Sequence, residues 1–263
     1  MIASVNGITL GYDDVGAGLP VVYLHGYPHD RTLWLPQIGA LTIPTRALAC
    51  DLRGFGESSG EALSVDDYAA DIVALLEHLE IRKAVIVGLS MGGYAAFAVW
   101  RRAPSLVRAL VLADTKAGAD DAAARERRNA QMAVAHARGS GAIADLLLPA
   151  MVGKTTREQR SEVAEAVRTM LARAHVDAIV GALTALRDRP DSAPTLATIT
   201  VPTLIVVGDE DVITPVADAR AMHAAIRGSR LEIIAGAGHL SNLERPAAFN
   251  HVLSEFFASL AYM

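Results

Sequence analysis

Apolar residues collect in unbroken runs along this chain rather than alternating with polar ones. "VVYLHG", "TRALACDL", "AVIVGLS", "RALVLADT", "PTLIVVGDED" and "RLEIIAGAG" each pass from a glycine, proline or charge into β-branched and aliphatic residues and out again. A strand with one wet face would alternate. A continuous run marks a strand covered on both faces, as in a parallel sheet. An earlier stretch, "ITLGYDDVGAGLP", reads as a short strand entering a Gly/Pro turn. Between the runs the period changes. Val65, Tyr68, Ala69, Ile72, Leu75, Leu76 and Leu79 fall at helical spacing behind Ser64, a suitable N-cap. Residues 91–102 predict a second helix, ended by Ala103-Pro104. Residues 215–226 and 246–260 predict two more, each opening on a proline suited to the first helical position. Strands alternating with helices predict an α/β fold: a mostly parallel, doubly wound sheet with right-handed crossovers and helices on both faces.

The rhythm breaks once. From residue 116 to 196 no good strand occurs; charged, Ala-rich helical stretches such as "DDAAARERRNAQMAVAHARG" and "TREQRSEVAEAVRTMLARA" take its place. One crossover rarely needs so much chain. The expectation is therefore a core of residues 1–115 and 197–263, with 116–196 inserted as a helical cap over the C-terminal edge of the sheet.

Composition narrows the class. The 263 residues, 52% hydrophobic and 20% charged, exclude a disordered chain and are long enough for a sizeable core. A net charge of -5 argues against nucleic acid or an anionic membrane as the main partner. Cys50 is the only cysteine, so no intrachain disulfide forms. With no signal-like N-terminus and no apolar run of membrane-spanning length, a cytoplasmic location is expected. The sequence leaves homo-oligomerisation open.

Candidate chemistry begins at "GLSMGG", residues 88–93. Gly88-Leu89-Ser90-Met91-Gly92 fits G-x-S-x-G between a strand and a helix, the context that gives this motif its meaning. Glycines let the turn be sharp, and the turn lifts the serine hydroxyl above the sheet. The following helix start points free N–H groups at the same spot. A serine hydroxyl needs a base to attack at neutral pH. Of eight histidines, His239 in "AGAGHLSNLERP" lies after the last predicted strand, on the same edge as Ser90. The base needs an anion to fix its tautomer. Asp211 in "VVGDEDVITP" is the choice, with Asp209 and Asp114 as alternatives. Acyl transfer also needs N–H donors for the oxyanion. Met91 N–H and the N–H of Tyr27, in the turn "HGYP", are the candidates, with His25 propping that turn.

"HGYP" at 25–28, "DLRGFGES" at 51–58, "GLSMGG" at 88–93, and "GDEDVITP" with "GAGH" near the end together resemble the α/β-hydrolase fold family, in order and over nearly the whole chain. The resemblance implies a Ser90, Asp211, His239 triad, a cap formed by the insertion, and hydrolysis of a small-molecule ester or lactone through an acyl-enzyme without metal or organic cofactor. A serine nucleophile sets the chain apart from the carboxylate-attacking dehalogenase and epoxide hydrolase branches. "GAGHLSNLERPAAFN" with "HGYPHDRTLW" is similar to 3-oxoadipate enol-lactonase-like esterases. Such an enzyme must hold a substrate carboxylate, for which Arg31, Arg138, Arg187 and Arg189 are candidates. Trp34, Leu89 and Leu240 adjoin the motifs and are candidate pocket residues. Alternatives are enol-lactonase action proper, C–C bond hydrolysis or perhydrolysis on the same triad, and a non-catalytic receptor for a small ligand.

Overall fold

The computed structural model describes residues 1–260. Five of the six long apolar runs form the middle of an eight-stranded sheet; the sixth, "RLEIIAGAG", is an edge strand and, contrary to expectation, is only partly buried. The strands of the sheet are β1 (Ile2–Val5), β2 (Ile8–Gly16), β3 (Leu19–Leu24), β4 (Thr45–Cys50), β5 (Ala84–Leu89), β6 (Val107–Ala113), β7 (Thr203–Gly208) and β8 (Arg230–Ile234), in spatial order β1-β2-β4-β3-β5-β6-β7-β8. From β4 to β8 every neighbour runs parallel, while β2 pairs antiparallel with both β1 and β4. Every residue of β5 and β7 is buried, which is why these strands show no alternation.

The order reverses at β3: the chain moves to β4 on one side, then returns to β5 on the other. The loops after β3 and β5 therefore diverge and leave a crevice at the carboxyl ends of the strands, where doubly wound sheets bind ligands.

Helices α1 (Val65–His78) and α2 (Met91–Arg102) follow β4 and β5. At the start of α1 the Ser64 hydroxyl accepts from Asp67 N–H (3.3 Å) and the Asp67 carboxylate accepts from Ser64 N–H (2.9 Å), a capping box that satisfies two otherwise unpaired donors. Between β6 and β7 lie α3 (Ala122–Met151), α4 (Lys154–Gln159), α5 (Ser161–Leu171), α6 (Val176–Arg187) and α7 (Ala193–Leu196). Among the described residues no strand occurs in this insertion. α8 (Val216–Ala225), α9 (Ser241–Glu244) and α10 (Pro246–Leu260) complete the chain. No single helix among the described residues is long and apolar enough to cross a membrane.

Four local expectations change. The N-terminus carries β1, joined to a longer β2 through Asn6 and Gly7, both at positive φ (47° and 75°). Asn-Gly between apolar residues is a two-residue hairpin signal. Pro215 is not the first residue of its helix: with φ -64° and ψ 162° it is the N-cap, and the helix starts at Val216. The stretch read as one helix around residues 156–174 breaks at Arg160 (φ -142°, ψ 58°) into α4 and α5. Conversely, "DDAAARERRNAQMAVAHARG" and "AIADLLLPAMVG", each expected as a separate helical stretch, run on as α3, interrupted only at Gly139 (φ 76°).

Candidate active site

The turn after β5 is built for one exposed hydroxyl. Ser90 holds φ 53°, ψ -112°, a conformation that non-glycine residues rarely adopt. It is over-determined by its surroundings: Ser90 N–H donates to Ala113 O (2.9 Å), and Ser90 O accepts from the Thr115 hydroxyl (2.8 Å). The flanking glycines answer to sterics. A Cβ on Gly88 would lie 2.2 Å from Gly92 O, and one on Gly92 would lie 2.1 Å from Leu24 O. Any side chain there would push β5, α2 and β3 apart.

Ser90, His239 and Asp211, far apart in sequence, meet here. Ser90 Oγ lies 2.8 Å from His239 Nε2, and His239 Nδ1 lies 2.8 Å from Asp211 Oδ2. With Nδ1–H donating to the carboxylate, Nε2 is left as the acceptor for the serine proton. Asp211 is itself fixed: Oδ1 accepts from the N–H groups of Ile213 (2.8 Å) and Thr214 (3.0 Å), and Oδ2 accepts from the Thr214 hydroxyl (2.6 Å). Burial alone would raise the Asp211 carboxyl. The adjacent His239 and the Thr214 donors outweigh it and hold the group below the ordinary carboxylate range. Burial likewise opposes a charged His239, but Asp211, then Asp114 and Glu244, raise its pKa above the ordinary imidazole value.

The two alternative acids do other things. Asp209 Oδ1 accepts from Gly236 N–H (2.7 Å), bracing the turn after β8. Asp114, fully buried at φ 44°, accepts from Gly208 N–H (2.9 Å), Ser241 N–H (3.2 Å) and the Ser241 hydroxyl (2.5 Å). Burial, reinforced by the charge of Asp211, pushes its pKa up to about 8.

The turn after β3 reaches over the serine. His25 Nδ1–H donates to Gly26 O (2.9 Å), and Nε2 accepts from Leu52 N–H (2.9 Å). That pairing ties the turn to the loop after β4, and burial keeps the ring neutral by lowering its pKa. The N–H groups of Tyr27 and Met91 have no hydrogen-bond partner among the described residues. Arg53 in "DLRGFGES" pairs with Asp71 and so ties that loop to α1.

Ser90, His239 and Tyr27 open into a cavity of about 660 Å³. Leu146, Leu147 and Met151 of α3 give it an apolar wall. The expected pocket residues are not among its lining. Trp34 is fully buried, its ring 5.1 Å from Tyr23 and 6.3 Å from Phe249, and serves as core packing. Leu89 and Leu240 are fully buried as well, Leu89 lying beneath Gly26.

The four candidate arginines also stay outside the cavity lining. Arg31 is engaged with Asp13, Asp51 and Glu57, and Arg187 with Asp188. Arg189 pairs with Asp120 (2.7 Å) and sits 4.3 Å over the Tyr94 ring. Lys116, Arg127 and Arg128 line the cavity instead. Lys116 follows the end of β6 and the two arginines sit in the early turns of α3, so position at the sheet's carboxyl edge was the signal available in the sequence. Among the described residues no group of three or more His, Cys, Asp or Glu side chains is arranged to hold a metal ion.

Known proteins match this chain over nearly its full length. The chain is 29% identical over 252 residues to 3-oxoadipate enol-lactonase 2 of Acinetobacter baylyi, covering 95% of this chain and 91% of that one. Its structure superimposes on a thermophilic esterase from Thermogutta terrifontis with a TM-score of 0.94, at 34% identity and with 99% and 98% of the two chains covered. A bromoperoxidase from Bacillus anthracis also matches, with a TM-score of 0.84, 26% identity and 95% and 96% coverage. The alpha/beta hydrolase family model matches residues 21–252. A sharp serine turn at the switch point of a mostly parallel sheet, and a family match over residues 21–252, place the chain in the alpha/beta hydrolase family.

Proposed function

We propose that this protein hydrolyses carboxylic esters or lactones through an acyl-enzyme on Ser90, with His239 as general base and acid and Asp211 as its anion. The observation that carries the reading is the pair of 2.8 Å contacts joining the serine, imidazole and carboxylate at a cavity with one apolar wall. His239 Nε2 takes the Ser90 proton as Oγ attacks the substrate carbonyl. The tetrahedral oxyanion is received by the N–H groups of Tyr27 and Met91, each such donor being worth about 3 kcal/mol. The imidazolium, stabilised by Asp211, passes its proton to the leaving alkoxide. Water then repeats the sequence against the acyl group, with the same base, and frees Ser90. Residues 116–196 act as a cap that walls the acyl site and excludes water. The esterase and enol-lactonase relatives support this class of substrate.

Lys116, Arg127 and Arg128 favour a narrower reading within that class. They face the cavity together with a single carboxylate, Asp120, which already pairs with Arg128 and Arg189. The excess positive charge suits a substrate bearing a carboxylate away from the scissile bond, as enol-lactonase action would require.

Turnover of nitrophenyl acetate and butyrate tests the general reading. Ser90→Ala should lose nearly all of it, on the order of a millionfold in related triads. Wild-type rates in that variant would remove the proposal. The narrower reading predicts that kcat/KM for an ester of a dicarboxylic acid exceeds that for the neutral isostere. The gap should shrink in Lys116→Ala/Arg127→Ala and at high salt. Equal values for the two substrates would leave only the general class.

A further inference from the structure

The "HLSNLERP" segment contributes His239 to the site, but its glutamate has no part in the mechanism above. Glu244 is fully buried. Its Oε1 accepts from Gly238 N–H (2.9 Å) and Leu240 N–H (3.3 Å), the residues on either side of His239. Its Oε2 accepts from Gly153 N–H (2.8 Å), the N-cap of α4 in the insertion. One carboxylate thus holds both shoulders of the base and one point of the helical insertion.

The junction it spans is made for backbone contact. A Cβ on Gly153 would lie 2.8 Å from Gly238 N and 2.5 Å from Glu210 Oε2, and one on Gly238 would lie 2.3 Å from Gly153 N. The two glycines therefore pack main chain against main chain. Three further bonds fasten the same piece of insertion to the loops carrying the triad. Glu210, adjacent to Asp211, accepts from Thr155 N–H (2.7 Å) and from the Thr155 hydroxyl. The Arg160 guanidinium donates to the main-chain oxygen of Glu244.

We propose that Glu244 is a positioning residue for His239, clamping the backbone on both sides of the imidazole to the Gly153–Thr155 segment, so that the seating of the insertion and the aim of the base are one mechanical unit. The proposal rests on the serine-hydrolase reading for its kinetic consequence but not for its structural one. An imidazole aimed by backbone bonds on either side has little freedom to swing off the Ser90–Asp211 line. A misplacement of about 1 Å at a reacting group is enough to cost roughly 100-fold.

The test is Glu244→Gln, which keeps the shape but turns an NH₂ toward one of the N–H donors. Turnover of nitrophenyl acetate should fall about 10- to 100-fold in kcat with KM within about twofold. In parallel, the downfield proton resonance of the His239 Nδ1–H···Asp211 bond should broaden or move upfield. Gly153→Ala, which disturbs the junction from the insertion side, should give the same pair of changes. It decides the matter should Glu244→Gln fail to fold. Wild-type kcat in a folded variant overturns the proposal, as does a loss of stability with kcat and the resonance unchanged. If the wild-type protein shows no Ser90-dependent turnover, the functional reading fails, and the resonance alone still decides whether Glu244 aims the histidine.

Discussion

Two buried aspartates lie near one histidine, and they differ in what surrounds them. Asp211 touches the imidazole and is kept ionised by it and by the Thr214 donors. Asp114 reaches Ser241 and Gly208 instead, and burial, reinforced by the charge of Asp211, pushes its pKa well above the carboxylate range. Replacement by the amide should therefore separate them. Asp211→Asn should lower kcat about 10⁴-fold, because the imidazole loses its anion and its tautomer. Asp114→Asn turns an NH₂ toward the N–H of Gly208 or Ser241 but leaves the imidazole its anion, and should lower kcat no more than about tenfold. Steady-state assays on the two variants check this, and the reverse ranking would make Asp114 the working acid. On the proposed reading, His239 must be uncharged to act as the base. Since His239 is raised above the ordinary 6.5, the rising limb of kcat/KM against pH should lie above that value. The stability linkage has a matching sign. The His239 contribution is present below its ordinary pKa and is lost as pH climbs through the raised one. The Asp211 contribution is present above its ordinary pKa and is lost as pH falls through the lowered one.

At the scale of elements, the elbow was the most legible feature because its constraint is local: a strand, a tight turn and a helix leave glycine as the only residue that fits at two flanking positions. Gly92→Ala would set a methyl group 2.1 Å from Leu24 O, and α2 would have to move off β3. The melting temperature should fall by roughly 5–10 °C, measured by calorimetry. Buried strands were legible for a similar reason, their unbroken apolar runs needing no partner to be read. Pocket residues were not. Trp34, Leu89 and Leu240 adjoin the motifs in sequence, yet adjacency along a strand or turn alternates direction, and all three point into the core. Much of the cavity lining comes from α3, whose placement over Ser90 depends on tertiary packing that no local pattern encodes. Glu244 shows the same limit. Its motif was visible, but the three N–H groups it binds belong to two loops some 85 residues apart in number, Gly153 against Gly238.

Across the whole molecule, the labour divides between the sheet and the insertion. The sheet edge carries every group proposed to touch the reacting atoms, and the insertion supplies much of the surface a substrate tail would meet. The consequence is that substrate range should change through the insertion without change in the chemical step. Leu147 of α3 lines the cavity, and it is nearly buried, so a larger side chain there cannot escape to solvent. Leu147→Trp removes space at the apolar α3 wall of the cavity. An acetyl group, lying close to Ser90, does not reach the lost space, whereas a longer acyl chain does. Each methylene excluded from an apolar site costs on the order of 1–3 kcal/mol. Leu147→Trp should therefore lower kcat/KM for nitrophenyl octanoate at least about tenfold while nitrophenyl acetate changes less than about twofold. A uniform loss across chain lengths would mean that the substitution reached the base through the Gly153 junction. An unchanged octanoate rate would mean that the acyl chain leaves the site by another route.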